Sequence, residues 1–180
     1  MLKIRILNVF LTMLIIVLLI INILQLTGHL VVFAVVKGTS MLPLFRNGDL
    51  VIIIPTKSVS IGSVIVYRGS YNQLVIHRVV AIARCSDGRI LIATKGDNNP
   101  VTDVVSYRIA GLVAETCIVR SMNSVQIAPW LPRYIVNEVL RCDGYVCIFR
   151  GIPLDRVVGV VLGIPGVEFK VMSIGLLSLR

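Results

Sequence analysis

The chain has 180 residues, 56% of them hydrophobic and 15% charged, and carries a formal net charge of +9. That length holds one modest domain plus a membrane anchor, and the apolar skew argues against an ordinary soluble domain. The basic residues are scattered, without the dense cluster or groove-entering helix of a nucleic-acid binder, so we read the charge as a surface facing anionic lipid headgroups.

Between Arg5 and Lys37 no Lys, Arg, Asp or Glu occurs, and residues 9–26 are apolar apart from Thr12, Asn22 and Gln25. A bilayer-spanning helix needs about 20 predominantly apolar residues, which this stretch supplies. A cleaved secretory leader would have a shorter core, about 7–15 residues, ending at a small-x-small site. Here the chain runs on through Gln25-Leu26-Thr27-Gly28-His29 without one. The expectation is a retained N-terminal membrane anchor over residues 1–29, with His29 at the membrane–water boundary. Lys3 and Arg5 flank its start, so the positive-inside tendency puts the N-terminus in the cytoplasm. Residues 30–180 then form a β-rich domain outside the cytoplasm.

Short runs rich in Val and Ile follow, at residues 30–36, 50–54, 63–67, 74–83 and 89–93. Turn chemistry separates them: Arg46-Asn47-Gly48-Asp49, Pro55, Gly62, Gly69-Ser70 and Ser86-Asp87-Gly88. This grammar predicts a mainly β fold, a compact antiparallel domain behind one transmembrane helix. In the run 74–83, Val75, His77 and Val79 share one face while Arg78 points to the other. Beyond Asp103, residues 104–119 read as one or two strands, and 131–140 as a short helix with Ile135, Val136, Val139 and Leu140 inward. The tail 157–179 is apolar. Glu168, Lys170, Pro165 and its glycines argue against a lipid-exposed helix there, since a central charge costs about 2.5–3.5 kcal/mol. A strand followed by a surface or interfacial tail is expected.

The four cysteines, Cys85, Cys117, Cys142 and Cys147, form no Cys-x-x-Cys pair, and His29 and His77 are the only histidines. No zinc site is expected, and no other metal or cofactor motif is present. Outside the cytoplasm one or two disulfides can form, with Cys142–Cys147 the most local pair; free buried thiols are the alternative.

The chemistry centres on Ser40, held between Gly38 and Pro43 directly after an apolar run. Such a turn can fix a hydroxyl in an exposed position. A serine in a turn is ordinarily only a turn residue; its company downstream changes the reading. Peptide hydrolysis needs a nucleophile, a base and an oxyanion donor. His77 can take the Ser40 proton at neutral pH and hand it to the leaving amine. A histidine base works best when a carboxylate holds its tautomer, and Asp49, Asp97 and Asp103 are the candidates. A Ser–Lys pair would need Lys37, Lys57 or Lys95. Lys37 is too close in sequence to face Ser40 easily, Lys57 lies in an apparent turn, and Lys95 is the least unfavourable.

Ser40-Met41-Leu42-Pro43, Gly48-Asp49, Ile76-His77-Arg78 and Gly96-Asp97-Asn98-Asn99, in that order behind an apolar segment, resemble the type I signal peptidases. These are membrane serine proteases that remove signal peptides from exported proteins. The bacterial branch carries a lysine base where this chain has His77-Arg78; the histidine is similar to the archaeal and endoplasmic-reticulum branch. The likeness covers roughly residues 7–103 and is patchy beyond. It implies Ser40 as nucleophile, His77 as base and Asp103, six positions after Asp97, as the acid that orients His77. Asp97 is then a supporting turn residue, and Asp49 belongs to a structural Gly-Asp. Gly38 stands where many relatives have a hydroxyl, which removes one side-chain donor; the expected oxyanion donors include the Ser40 backbone N–H, and Thr39 is the residue that could compensate. Residues 155–161 resemble the closing strand, with an insert at about 104–154 before it.

The resemblance further implies secretory preproteins as substrates, bound extended through the signal peptide region, with small residues one and three positions before the cut. The bilayer and translocon or accessory subunits are the other expected partners, and nucleic acid is not among them. The implied location is the cell membrane, or the endoplasmic-reticulum membrane in a eukaryote, with a single pass. Two other classes share part of the pattern. A LexA-type self-cleaving regulator has Ser-Met-x-Pro and Gly-Asp but needs a self-cleavage segment and a DNA-binding domain. An inactive membrane subunit would keep the fold without the chemistry.

Overall fold

The computed structural model describes residues 2–26, 32–106, 113–164, 167–168 and 171–173. Two compact units are present, residues 1–32 and 33–180. The first is a single helix, α1 (Leu2–Leu26), and its stretch Arg5–Leu24 is long and apolar enough to cross a membrane. At about 1.5 Å per residue its 25 residues extend about 37 Å, against a hydrocarbon core of about 30 Å. Two of its polar side chains bond back within the helix: Thr12 Oγ1 donates to the Asn8 carbonyl and Asn22 Nδ2 to that of Leu18, each at 2.8 Å. Back-bonding of this kind hides polar groups where no water is at hand. His29 lies outside the described residues.

The second unit is the antiparallel β-domain expected from the alternation of runs and turns. Its strands are β1 (Phe33–Val35), β2 (Asp49–Ile54), β3 (Val64–Arg68), β4 (Leu74–Arg84), β5 (Ile90–Lys95), β6 (Glu115–Val119), β7 (Val125–Ile127), β8 (Leu140–Asp143), β9 (Val146–Pro153) and β10 (Val157–Val161). Two-residue strands β11 (Gly163–Ile164) and β12 (Val167–Glu168) pair with each other, and β13 (Val171–Ser173) pairs with β2. Among the described residues the main sheet runs β1-β2-β10-β3-β4-β5-β9-β6, with β7 on β4 and β8 on β9. β10 closes the sheet by lying between β2 and β3.

Strand parity builds the core. Val51 and Ile53 of β2, and Val75 and Val79 of β4, turn inward with Ile65, Tyr67 and Ile92. A register shift between Val79 and Ala81 interrupts the alternation in β4, so Val79, Val80 and Ala81 are all buried. Around Ala81, Leu91 and Phe149 a second apolar cluster forms, and helix α2 (Arg133–Val139) packs Val139 against it.

Three features mark the later half. Residues 104–119 hold one described strand, β6, preceded by a 3₁₀ turn at Asp103–Val105; residues 107–112 lie outside the description. Within the stretch 104–154, β7 and β9 join the main sheet, β9 pairing with β5 and β7 with β4. Both disulfides are present, Cys142–Cys147 across β8 and β9, and Cys85–Cys117 between the end of β4 and β6.

Candidate active site

Ser40 sits in a tight loop between β1 and β2. Gly38 has φ +96°, a left-handed conformation that a residue with a Cβ rarely adopts, and its N–H donates to Asn47 Oδ1 at 3.1 Å. The loop base is closed by Val36 N–H to the Asp49 carbonyl (2.8 Å) and Gly48 N–H to the Val36 carbonyl (2.9 Å). Met41 and Phe45, both buried, pin the turn to the core, and the Phe45 N–H donates to the Met41 carbonyl. The turn after β5 grips the same loop. Asn98 N–H donates to the Ser40 carbonyl at 2.8 Å, and Asn98 Nδ2 to that of Thr39 at 3.2 Å. A Cβ on Gly96 would lie 2.7 Å from the Ser40 carbonyl oxygen, so this close approach requires glycine.

β4 delivers His77. It lies opposite Ile65 of β3, is 2% exposed, and shares its face with buried Val75 and Val79, as period-2 parity expects. His77 Nε2 is 2.9 Å from Ser40 Oγ, and His77 Nδ1 is 2.6 Å from Asp103 Oδ2. A carboxylate only accepts hydrogen bonds, so Nδ1 carries the proton. In the neutral imidazole Nε2 is then the acceptor, and the Ser40 hydroxyl donates to it. Asp103, 1% exposed, opens the 3₁₀ turn that follows Thr102.

Asp103 Oδ2 collects two further donors, Thr94 Oγ1 at 2.6 Å and the Tyr67 hydroxyl at 2.8 Å. Burial pushes the Tyr67 phenol well above its ordinary range, and the Asp103 charge and the hydrogen bond to it push the same way. Tyr67 therefore remains a donor at neutral pH. Neither residue was picked out from the sequence. Tyr67 and Thr94 lie 27 residues apart, on the two strands β3 and β5 that flank β4, and no motif joins them; only sheet register brings them to one oxygen.

Asp97 is placed elsewhere. Its carboxylate takes Arg78 Nε on Oδ1 at 2.8 Å and Arg78 Nη2 on Oδ2 at 2.9 Å. Arg78 points away from His77, so Asp97 stands on the other face of β4 from the Ser40–His77–Asp103 chain. Asp49 is buried and accepts the Arg46 N–H at 2.8 Å, a structural role. The lysines are committed differently. Lys57 Nζ donates to the carbonyls of Asp155 and Val157, and Lys95 Nζ to that of Gly96 at 3.0 Å. Lys37 lines the cleft beside Ser40, but His77 holds the position at the hydroxyl.

That cleft has a volume of about 470 Å³, and both Ser40 and His77 line it. It is lined by residues 33–37, which include β1, by residues 73–77, which include the start of β4, and by buried Val51 and Val66. Among the described residues no group of three or more His, Cys, Asp or Glu is arranged to hold a metal.

The Peptidase S24-like family model matches residues 19–110, just over half of the chain and all of the segment carrying Ser40, His77 and Asp103. The chain is 37% identical over 82 residues to the signal peptidase complex catalytic subunit SEC11 of Eremothecium gossypii, covering 44% of this chain and 48% of that one. To SEC11 of Yarrowia lipolytica it is 39% identical over 75 residues, 41% and 43% of the two chains. To human SEC11C it is 33% identical over 86 residues, 46% and 45% of the two. The matched segment thus spans a little under half the length of these relatives. On the family match, which encloses the Ser40–His77–Asp103 chain, this protein belongs to the Peptidase S24-like family.

Proposed function

We propose that the chain is a membrane-anchored serine endopeptidase that removes signal peptides from exported preproteins. The observation that carries the reading is the hydrogen-bonded series Ser40 Oγ, His77 Nε2, His77 Nδ1, Asp103 Oδ2 at 2.9 and 2.6 Å. His77 takes the Ser40 proton as the hydroxyl attacks the scissile carbonyl, then gives it to the leaving amine. Asp103 keeps His77 in the tautomer that accepts from serine and stabilises the imidazolium that forms. Asp97 supports the site indirectly, because its pairing with Arg78 anchors the turn whose Asn98 grips the Ser40 loop. The Ser40 backbone N–H is the donor for the oxyanion. Water then hydrolyses the acyl-enzyme by the same proton path in reverse.

The substrate follows from the cleft. The β1 and β4 residues that line it suit a peptide that adds as a strand, and the apolar lining of Phe33, Val35 and Leu74 suits a signal peptide end. The similarity to SEC11 proteins, named as catalytic subunits of a signal peptidase complex, supports the same substrate class and the presence of accessory subunits. Helix α1 serves as a single-pass anchor with its Lys3 and Arg5 end in the cytoplasm. Residues 30–180 lie on the other side as the catalytic domain, where disulfides persist. The test is cleavage of a purified preprotein in detergent by wild type, Ser40→Ala and His77→Ala. Wild type should release the signal peptide and both variants should not. Near-normal turnover by His77→Ala would remove the Ser–His assignment.

A further inference from the structure

The segment between Asp103 and β10 carries one carboxylate that reaches back toward the site. Glu138, half-buried on α2, accepts two hydrogen bonds on Oε2 from a single residue: the Thr102 backbone N–H at 2.8 Å and the Thr102 hydroxyl at 2.7 Å. Thr102 is fully buried and immediately precedes Asp103. It stands at the N-terminal boundary of the Asp103–Val105 turn with extended backbone, φ −74° and ψ 161°. A threonine there ordinarily caps the turn by accepting from one of its N–H groups. Here no such side-chain cap forms, and the hydroxyl is given to Glu138 as a donor. The turn's own bonds are few: Ser106 N–H to the Asp103 carbonyl at 3.0 Å and Val105 N–H to the Thr102 carbonyl at 3.4 Å. The turn that presents Asp103 is therefore braced from outside, by a helix of the intervening segment.

We propose that Glu138 is a positioning residue, whose carboxylate fixes Thr102 and through it the placement of Asp103 behind His77. The inference rests on the reading of Ser40 and His77 as the reacting groups with Asp103 orienting the base. Asp103 Oδ2 meets three donors between 2.6 and 2.8 Å, so a shift of the loop breaks contacts that have no slack. A displacement of about 1 Å at a distance from the chemistry can cost about 10²-fold in rate. The stretch 104–154 thereby acquires a task, holding the acid of the site in register.

The test uses the full chain in detergent, with preprotein cleavage kinetics and the pH profile of Ser40 labelling by a fluorophosphonate. Glu138→Ala should lower kcat by about 10- to 10²-fold with little change in KM, and shift the labelling profile, because His77 loses its fixed partner. Glu138→Gln keeps an oxygen that accepts both bonds and should restore most of the rate. Thr102→Val keeps the N–H but loses the hydroxyl and should fall between them; combined with Glu138→Ala it should add nothing further. If Glu138→Ala does not fold, Thr102→Val carries the same comparison. Wild-type kcat and pH profile in Glu138→Ala or Thr102→Val, with Asp103→Asn inactive, would overturn the brace. Equal impairment of Glu138→Gln and Glu138→Ala would also overturn it. A fully active Asp103→Asn removes the underlying reading and the brace together, so the two failures look different.

Discussion

Arg78 holds Asp97 by two parallel hydrogen bonds, at 2.8 and 2.9 Å, on the face of β4 opposite His77, while its third nitrogen donates to the Gly62 carbonyl at 2.7 Å. Two neighbouring residues of one strand thus take two different aspartates. Arg78 claims the one in the glycine-rich turn, and His77 claims the one that follows Thr102. The two carboxylates should fail in different ways when neutralised.

Asp103→Asn keeps an oxygen that can accept from Tyr67, Thr94 and His77, but removes the charge that stabilises an imidazolium. Turnover should fall by roughly 10⁴-fold while the fold survives, a loss far beyond any change in the folded fraction. Asp97→Asn weakens a largely buried bidentate pair, at a cost of about 2 kcal/mol, or about 4–8 °C in melting temperature. Its activity should fall mainly in step with the folded fraction. Paired kcat and thermal-melt measurements decide: an active Asp103→Asn beside a folded but dead Asp97→Asn would reverse the roles.

Tyr67 gives the site a signature in alkali. Its raised pKa means that the folded chain keeps a proton that the unfolded chain releases near pH 10. Its contribution is therefore fully present below about pH 10 and is lost as the pH climbs toward the folded value. Tyr67→Phe loses a hydrogen bond to a charged group and should be less stable at neutral pH, by about 1.5–3 kcal/mol. Its stability should fall less steeply between about pH 9 and 11. Melts of both proteins across that range should converge; parallel curves would mean that Tyr67 does not hold its proton in this way.

The two disulfides close loops of very different size, with sequence separations of 32 and 5. Loop entropy assigns about 4 kcal/mol to Cys85–Cys117 and about 2 kcal/mol to Cys142–Cys147. Both Cys85 and Cys117 are also part of the apolar core. The double variant Cys85→Ser/Cys117→Ser should melt well below Cys142→Ser/Cys147→Ser under matched conditions. The reverse order would place the stabilisation in the β8–β9 hairpin.

The charge asymmetry around α1 makes a topological prediction. In sealed vesicles, protease added from the cytoplasmic side should spare residues 30–180, and a tag joined after Arg180 should be protected as well. Digestion to a short membrane stub from that side would reverse the orientation.

The local rules written into the sequence were enough for some features. Absence of charge from 6 to 36 makes α1 a spanning candidate, because length and apolarity alone set that property. Alternation in β4 turns His77 inward and Arg78 outward, since a strand's period of two is independent of its partners. The family resemblance singles out Asp103 rather than Asp97 as the acid, but which carboxylate each β4 side chain meets depends on chain segments far apart in sequence. Tyr67 and Thr94 reach Asp103 only because β3 and β5 flank β4 in a particular register. Cys85 finds Cys117, and β9 finds β5, through pairings that no short-range pattern encodes. Glu138 meets Thr102 across 36 residues for the same reason. Periodicity specifies which way a side chain faces; only the closed sheet decides what it faces.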